Sequence, residues 1–195
     1  MMAAIVLAAG QSRRMGRNKL LLPFGRSTVI ETIVTEVQSG EVNDTVVVTG
    51  YERERIEAQL ARYPVRCVFN PDYARAEMLA SVQVGLRALA ENIEAALIVL
   101  GDQPRIQRDI IRRVIEAYRP GALIIPSFER RRGHPILLDR SIWPDVLAAP
   151  IEATLRDVIN AHAECIRYVE VESDSVLRDI DTPDDYAQAM RAFRQ

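Results

Sequence analysis

The sequence predicts an α/β protein of three layers (α/β/α), in which helices cover both faces of a mostly parallel β-sheet with one antiparallel strand. Short apolar runs alternate along the chain with segments whose apolar residues recur at helical spacing. The runs are apolar at successive positions, which is typical of strands buried on both faces. Strands that alternate with helices in this way favour a parallel sheet with crossover helices.

Seven apolar runs are predicted strands. Five of them occupy residues 3–7 (AAIVL), 45–49 (TVVVT), 65–69 (VRCVF), 95–100 (AALIVL) and 122–126 (ALIIP). The two others, residues 135–138 (PILL) and 166–171 (IRYVEV), depart from the strict alternation of the earlier part. We therefore expect one strand in this last part of the chain to run antiparallel.

The segments between the runs carry apolar residues at helical steps. This spacing occurs in residues 28–38, 56–60, 79–89 and 110–117. A last helix is predicted to begin at the sequence TPDDY. Thr182 suits the position that caps a helix, Pro183 suits its first turn, and the two aspartates suit the positive end of its dipole.

Length and composition predict one globular domain, residues 1–195. The net charge of -2 gives no reason to expect nucleic acid or a membrane surface as a partner. Two cysteines, Cys67 and Cys165, are too few for a disulfide framework, which fits a reducing compartment. No basic leader precedes the first apolar run, and no run approaches the ~20 residues that span a bilayer. The sequence therefore predicts a cytoplasmic protein.

A basic loop follows the first predicted strand, in the stretch LAAGQSRRMGRNKLLLPF that begins at Leu7. In parallel sheets, ligands bind beyond the carboxyl ends of the strands. Ala8, Ala9 and Gly10 have small side chains or none, so backbone N–H groups there can approach a ligand closely. Four cations follow without an acid among them, including Arg14 and Lys19. These features predict a cradle for polyphosphate, and a solvated basic loop is the alternative.

The common phosphate and nucleophile motifs do not fit this loop. Gly10 and Gly16 enclose five residues, and Lys19 lies three residues past Gly16, so the spacing is not that of a Walker loop. The dinucleotide motif G-x-G-x-x-G is absent. The segment after Gly10 also lacks the final glycine of a G-x-S-x-G nucleophile elbow.

The loop resembles the signature AAG-x-S-x-R-M-G-x-x-K of nucleotidyltransferases that act on the molybdenum cofactor. Five further motifs follow in the order of that family: VVVTGY, NPDYARAEMLASVQVGL, LGDQP, GHPILL and DIDTPDDY. The resemblance covers nearly the whole chain and is closest to the cytidylyltransferase branch of the family. It implies a single nucleotidyltransferase domain with a Rossmann-like fold of the nucleoside-diphospho-sugar transferase (GT-A-like) type.

This resemblance also implies where the nucleotide and its metal ion bind. The residues assigned to the nucleotide are Leu7, Ala8, Ala9, Gly10, Arg14, Lys19, Asn70 and Ser81. Asp102 follows a strand at the same sheet edge as the basic loop and offers the oxygen ligand that Mg²⁺ prefers; a turn cap is the alternative. Asp181 matches the position of a second metal ligand. Asn70 is alternatively a simple turn residue in Asn-Pro-Asp.

The acceptor side of the site is assigned to His134 and Asp179. The motif Gly-His-Pro lies by the acceptor in the resembling family, while a lone loop histidine is usually structural. Asp179 and Asp181 alternate in D-I-D, so an extended chain points both to one face. Relatives usually have glycine near Ala76, and we expect backbone strain if Ala76 takes that position. His162, Cys67 and Cys165 show no metal-ligand spacing and are predicted to be structural.

The resemblance therefore implies an enzyme that transfers CMP from CTP, or another nucleoside monophosphate from its triphosphate, to the phosphate of the molybdopterin cofactor, with release of pyrophosphate. The nucleophile is a phosphate oxygen that is already anionic, so no general base is required. The catalytic residues are Arg14, Lys19 and Asp102, with Mg²⁺ as cofactor. A client molybdoenzyme is a further expected partner. The alternatives are another phosphorylated acceptor, such as a sugar phosphate, or a non-catalytic carrier of the cofactor.

Overall fold

A computed structural model of the chain describes residues 1–75, 78–150 and 152–193. The strands are β1 (Met2–Ala8), β2 (Pro23–Phe24), β3 (Ser27–Thr28), β4 (Asp44–Thr49), β5 (Arg66–Phe69), β6 (Ala95–Leu100), β7 (Leu123–Phe128), β8 (Arg131–Arg132), β9 (Ile136–Asp139) and β10 (Ile166–Glu170). The helices are α1 (Val29–Ser39), α2 (Arg53–Leu60), α3 (Met78–Ala88), α4 (Arg108–Glu116), α5 (Trp143–Ala148), α6 (Leu155–Ala161) and α7 (Pro183–Phe193).

The main sheet has the strand order β10-β7-β9-β6-β1-β4-β5. Strand β1 pairs in parallel with both β4 and β6, and β10 pairs in parallel with β7. Strand β9 runs antiparallel between β6 and β7, which confirms one antiparallel strand in the later part of the chain. The short strand β8 adds an antiparallel hairpin to β7 that the sequence did not predict.

Alternate residues of β1 face two different cores, which is why its apolar run is continuous. Ala4 and Val6 pack into one core, while Ala3 and Ile5 pack into the other, and all four are fully buried. Helices α1, α2, α4 and α7 contribute to the first core, and α3, α5 and α6 contribute to the second. The three-layer α/β/α architecture is therefore confirmed.

The predicted helix starts are confirmed by their caps. Thr28 accepts a hydrogen bond from the N–H of Glu31, whose carboxylate accepts one from the N–H of Thr28, a capping box that starts α1. Thr182 and Asp185 make the same reciprocal pair at α7. This second cap fixes the chain just after Asp181. Helices α5 and α6 were not predicted; both are short, with 6 and 7 residues.

The carboxyl ends of β1, β4, β6 and β7 lie at one edge of the sheet, because these strands are parallel to one another. Strand β9 begins at this edge because it runs in the opposite direction. The basic loop after β1, the turn after β6 and the His134 segment before β9 therefore all lie there. Within the described residues, the helices are all too short or too polar to cross a membrane.

Candidate active site

A cavity of about 440 Å³ opens at the carboxyl ends of β1 and β6. The basic loop forms one wall, the turn after β6 forms the floor, and a third segment after β5 closes one side. The lining residues are Leu7, Gly10, Gln11, Ser12, Arg13, Arg14, Lys19, Leu20, Tyr73, Ala74, Arg75, Asp102 and Asp181.

The basic loop is held in place by two single 3-10 turns, Arg13–Met15 and Lys19–Leu21. Buried Met15 and Leu20 anchor these turns in the first core. The hydroxyl of Ser12 accepts a hydrogen bond from the N–H of Lys19 at 3.2 Å, which ties one turn to the other. This packing orders the loop and buries the stem of Lys19.

Lys19 joins the two predicted metal ligands. Its Nζ lies 2.6 Å from Asp102 Oδ2 and 2.9 Å from Asp181 Oδ1, although Asp102 and Asp181 are far apart in the chain. Burial by itself lowers the pKa of the Lys19 ammonium, but the charge and hydrogen bond of Asp102, followed by those of Asp181, outweigh it and raise that pKa above its ordinary value. Lys19 therefore stays protonated in this site at neutral pH.

Arg14 supplies a second cation at the cavity mouth. Its guanidinium lies 2.8 Å from Asp181 Oδ2, on the other carboxylate oxygen from Lys19. The Arg14 side chain is 69% exposed, whereas that of Lys19 is 11% exposed. Arg14 can thus turn towards an incoming anion, while Lys19 is fixed at the floor.

Asp179 lies beside this cluster and is held by Gln103. The Nε2 of Gln103, a buried residue, donates to Asp179 Oδ1 at 2.6 Å, and its own Oε1 is buried without a hydrogen-bond partner among the described residues. Partial burial, and then the negative charge of Asp102, raise the pKa of Asp179. Asp179 is thus close enough to interact with the charge of Asp181, but it lines a separate cavity from the one that Asp181 lines, and Gln103 is a partner that the sequence did not indicate.

The structure places Asn70 and Ser81 behind the cavity wall. Asn70 Nδ2 donates to Ser81 Oγ at 3.0 Å, and Asn70 Oδ1 accepts from the N–H of Asp72 at 2.9 Å. Both side chains are buried and neither lines the cavity. They position the segment that presents Tyr73 and the two residues after it to the cavity, three lining residues that sequence reasoning missed. The Asn-Pro-Asp turn was the available signal, and Ala76 lies outside the described residues.

Of the small residues at the end of β1 and directly after it, Gly10 lines the cavity, while Ala8 and Ala9 are buried. The Ala9 carbonyl accepts from the N–H of Tyr51 at 3.3 Å. A side chain at Gly50 would collide with the methyl of Ala9 and with the Cβ of Tyr73. Ala9, Gly50 and Tyr73 are therefore packed together. Ala9 does not line the cavity itself, but it lies next to Tyr73, which does.

The structure places His134 in a second cavity at the same sheet edge, with a volume of about 130 Å³. Its walls are mostly apolar and include Ile125, Leu155 and Ile159, with the cation of Arg132 at the rim. The Nε2 of His134 is buried and has no hydrogen-bond partner among the described residues, and burial lowers the pKa of His134 to about 4. His134 is therefore neutral and does not line the larger cavity.

The larger cavity combines four cationic side chains with a pair of carboxylates, and its described lining contains no histidine or cysteine. Such an arrangement neutralises phosphate charge, and its described lining offers no imidazole base and no thiol nucleophile. It suits a transfer in which the attacking atom is already anionic. The outline of the site, formed by Arg14, Lys19, Asp102 and Asp181, agrees with the sequence prediction for these positions, while their roles remain predictions.

Comparison with known proteins finds nucleotidyltransferases among the relatives of this chain. The chain is 29% identical over 194 residues to the molybdenum cofactor cytidylyltransferase of Escherichia coli K12, covering 98% of this chain and 96% of that protein. It is 30% identical over 208 residues to the molybdenum cofactor guanylyltransferase of Mesorhizobium japonicum, with 98% and 96% covered. A nucleotidyl transferase structure from Methanothermobacter superposes with a TM-score of 0.87 at 27% identity, covering 100% of this chain and 98% of that one.

Residues 4–166 match the family model described as the MobA-like NTP transferase domain. The match covers most of the chain and contains the basic loop, Asp102 and His134. The fold, of the nucleoside-diphospho-sugar transferase type, and the nucleotidyltransferase activity predicted from the sequence are thus confirmed. The chain belongs to the MobA-like NTP transferase family.

Proposed function

We propose that this nucleotidyltransferase transfers CMP from CTP to the phosphate of the molybdopterin cofactor and releases pyrophosphate. The observation that carries the proposal is the convergence of Lys19, Asp102 and Asp181 at the floor of a basic cavity beyond β1 and β6. This arrangement offers cations to a triphosphate and oxygen ligands to its metal ion at one position.

The residues present fit a magnesium ion. The carboxylates of Asp102 and Asp181 already meet on one cation, the ammonium of Lys19, at 2.6 and 2.9 Å. Two carboxylates that can share one cation suit Mg²⁺, which is usually held by one or two carboxylates together with substrate phosphates. Asp102 and Asp181 would hold the ion, which when bound neutralises phosphate charge near the reacting phosphorus.

The chain's own part in the reaction is to position and neutralise phosphates. An oxygen of the acceptor phosphate attacks the α-phosphorus of CTP, and the bond from that phosphorus to the bridging oxygen breaks, so the electron pair leaves with pyrophosphate. Lys19 and Arg14 balance the charge on the leaving group. No proton has to be removed from the nucleophile, which agrees with a cavity whose described lining has no histidine.

We propose that the acceptor binds towards His134 and Asp179. The His134 cavity has apolar walls, one buried ring nitrogen without a partner and nearby arginines, Arg132 and Arg156. A flat, polar heterocycle such as a pterin can pack on the apolar walls and hydrogen-bond to the neutral imidazole. Asp179, held by Gln103, offers an acceptor for further N–H groups.

The choice of CTP over GTP rests on the Ala-Ala-Gly turn after β1. Relatives of similar identity bear the names of a cytidylyltransferase and a guanylyltransferase. The methyl group of Ala9 and the Cβ of Tyr73 both lie beside Gly50, and Tyr73 lines the cavity, so we expect the Ala9 methyl to limit the space on this side of it. A cavity with less space at this point should favour the smaller pyrimidine base of CTP over the purine base of GTP.

The same chemistry on a sugar phosphate is the remaining alternative, because storage of the cofactor without catalysis does not agree with the nucleotidyltransferase activity of the family. Storage needs no metal ligands at a triphosphate, so the carboxylate pair around Lys19 favours an enzyme. The client molybdoenzyme and the cytoplasmic location remain predictions.

The test is a screen of CTP, GTP, ATP and UTP with Mg²⁺, with and without molybdenum cofactor, measured as pyrophosphate release. We expect the highest kcat/KM with CTP, and only when the cofactor is present. Lys19→Ala should reduce the rate, while Arg17→Ala serves as the matched control, because Arg17 is exposed in the same loop and does not line the cavity. If pyrophosphate were released with a sugar phosphate as the acceptor but not with the molybdenum cofactor, the proposed acceptor would be wrong.

A further inference from the structure

A second cluster of possible metal ligands lies at the end of α6. It is separate from the cavity of about 440 Å³ between the basic loop and Asp102, which is called the nucleotide cavity below after its proposed ligand. His162 ends this helix, and the 3-10 turn Ala163–Cys165 follows directly. The N–H of Cys165 donates to the carbonyl of His162 at 3.0 Å. In a 3-10 turn, side chains three residues apart eclipse one another, so His162 and Cys165 point the same way.

Glu164 completes the cluster. One ring nitrogen of His162, the Sγ of Cys165 and a carboxylate oxygen of Glu164 all lie within 4.8 Å of one another. The Cys165 thiol packs against the second core, which fixes its position, and the Glu164 carboxylate lies 3.7 Å from its sulfur. The sequence spacing gave no sign of this cluster, because the 3-10 turn was not predicted.

Asp145 on α5 holds the imidazole ring. Its Oδ2 lies 2.8 Å from Nε2 of His162, and the His162 side chain is only 21% exposed. A carboxylate hydrogen-bonded to a histidine fixes the orientation of the ring and raises its basicity, as in many zinc sites. This contact also joins α5 to α6.

The cluster and the nucleotide cavity lie at opposite edges of the sheet. Cys165 directly precedes β10, which runs parallel to β7, so it lies at the amino ends of the strands. The nucleotide cavity lies at the carboxyl ends. A metal ion at the cluster would therefore not contact the reacting phosphates, and its role would be to join α5, α6 and the start of β10.

We propose that His162, Glu164 and Cys165 form a zinc site in which water is the fourth ligand, with Asp145 as the residue that orients His162. A thiolate, an imidazole and a carboxylate are the ligand set that zinc takes, whereas magnesium takes oxygen ligands. In a tetrahedral zinc site the ligand atoms are about 3.3–3.6 Å apart, as bond lengths of about 2.0–2.3 Å require. Side-chain rotations that close the present separations by about one ångström are sufficient.

The test uses Co²⁺ as a spectroscopic probe for Zn²⁺ on the full chain, after removal of metal by a chelator. A sulfur-to-cobalt charge-transfer band requires a thiolate ligand, so it distinguishes this site from the carboxylates of the nucleotide cavity. We expect the band in the unmodified protein, its displacement by Zn²⁺, and its loss in Cys165→Ser. Cys67→Ser is the matched control, since Cys67 is the other free, half-buried cysteine, and it should keep the band.

Two further variants separate ligation from folding. Asp145→Asn should keep the band and weaken the affinity for Co²⁺ by about 10–100-fold. Asp102→Asn in the nucleotide cavity should change neither the band nor its affinity. Zn²⁺ should raise the Tm of the unmodified protein and of Cys67→Ser but not of Cys165→Ser. The proposal is overturned by the absence of the band in the unmodified protein, or by its presence in Cys165→Ser.

Discussion

Replacement of Lys19 by alanine tests the central contact of the nucleotide cavity. The change removes an ammonium that is 11% exposed and that bonds two carboxylates at 2.6 and 2.9 Å. A hydrogen bond to a charged group contributes about 1.5–3 kcal/mol. In the reaction the same ammonium faces phosphate charge, so the loss of one such contact predicts a fall in kcat/KM of about 10–150-fold.

The same change should also destabilise the fold. It leaves Asp102 and Asp181 facing each other without their shared cation. Breaking a fully buried ion pair costs about 3–5 kcal/mol. Here the two carboxylate side chains are 23% and 35% exposed, so water screens much of their repulsion. We therefore expect a loss of about 1–3 kcal/mol in the free energy of unfolding, measured by urea titration.

Metal affinity separates these effects from a general loss of structure. In Lys19→Met the ammonium no longer competes for the carboxylates, so Mn²⁺ should bind the nucleotide-free protein more tightly than it binds the unmodified protein. Calorimetry measures this affinity, and pyrophosphate release measures kcat/KM. Arg17→Ala should leave both unchanged. A Lys19→Ala variant with unaltered kcat/KM, or a Lys19→Met variant with weaker Mn²⁺ binding, would refute the role given to Lys19.

Three other changes give distinct outcomes. Asp102→Asn should keep the far-UV circular dichroism and lose Mg²⁺-dependent pyrophosphate release; an unchanged Mg²⁺ titration would make Asp102 a turn residue. Ala9→Gly should lower the preference for CTP over GTP, by at most ~1–3 kcal/mol for one methyl group; equal kcat/KM for the two nucleotides in the unmodified protein would contradict the assigned role of Ala9. Because the pKa of His134 falls from 6.5 to about 4 on folding, only the unfolded state binds its proton between these values. The free energy of unfolding, measured by urea titration at each pH, should therefore fall by about 3 kcal/mol as the pH falls from 6.5 to 4. The His134→Asn variant should lack this part of the pH dependence.

The layers of the fold could be predicted because they depend on local patterns. The run AAIVL of β1 is apolar at every position, and each face of the strand does contact its own core. The helix cap formed by Thr182 and Asp185 could also be predicted from the sequence, since both of its hydrogen bonds are made within four residues. Helix α6 was missed although Leu155, Val158 and Ile159 have helical spacing, because a helix of 7 residues shows this pattern over less than two turns, and the 3-10 turn that follows has only 3 residues.

The sequence predicted some of the residues that line the cavity, among them Lys19, Asp102 and Asp181, but not where the other candidate residues lie or what they contact. Asn70 and Ser81 are close to the nucleotide cavity, yet they bond each other, because a buried amide needs a partner within the protein. His134 lies in its own cavity because β9 starts at a different point of the sheet edge from the end of β1. Such outcomes depend on which strands are neighbours, and a pattern along the chain does not record this order.

Backbone geometry brings Lys19, Asp102 and Asp181 together before any nucleotide binds. Leu7 and Leu100 are paired between β1 and β6, and the N–H of Gly101 then donates to the carbonyl of Leu7 at 3.0 Å. A side chain at Gly101 would collide with that carbonyl, so glycine is required there. The N–H of Ile180 donates to the carbonyl of Asp102 at 2.9 Å, which sets Asp181 beside it. Because these backbone bonds do not involve the substrate, the two carboxylates are held side by side without it, and we expect a metal ion only to displace the Lys19 ammonium from between them.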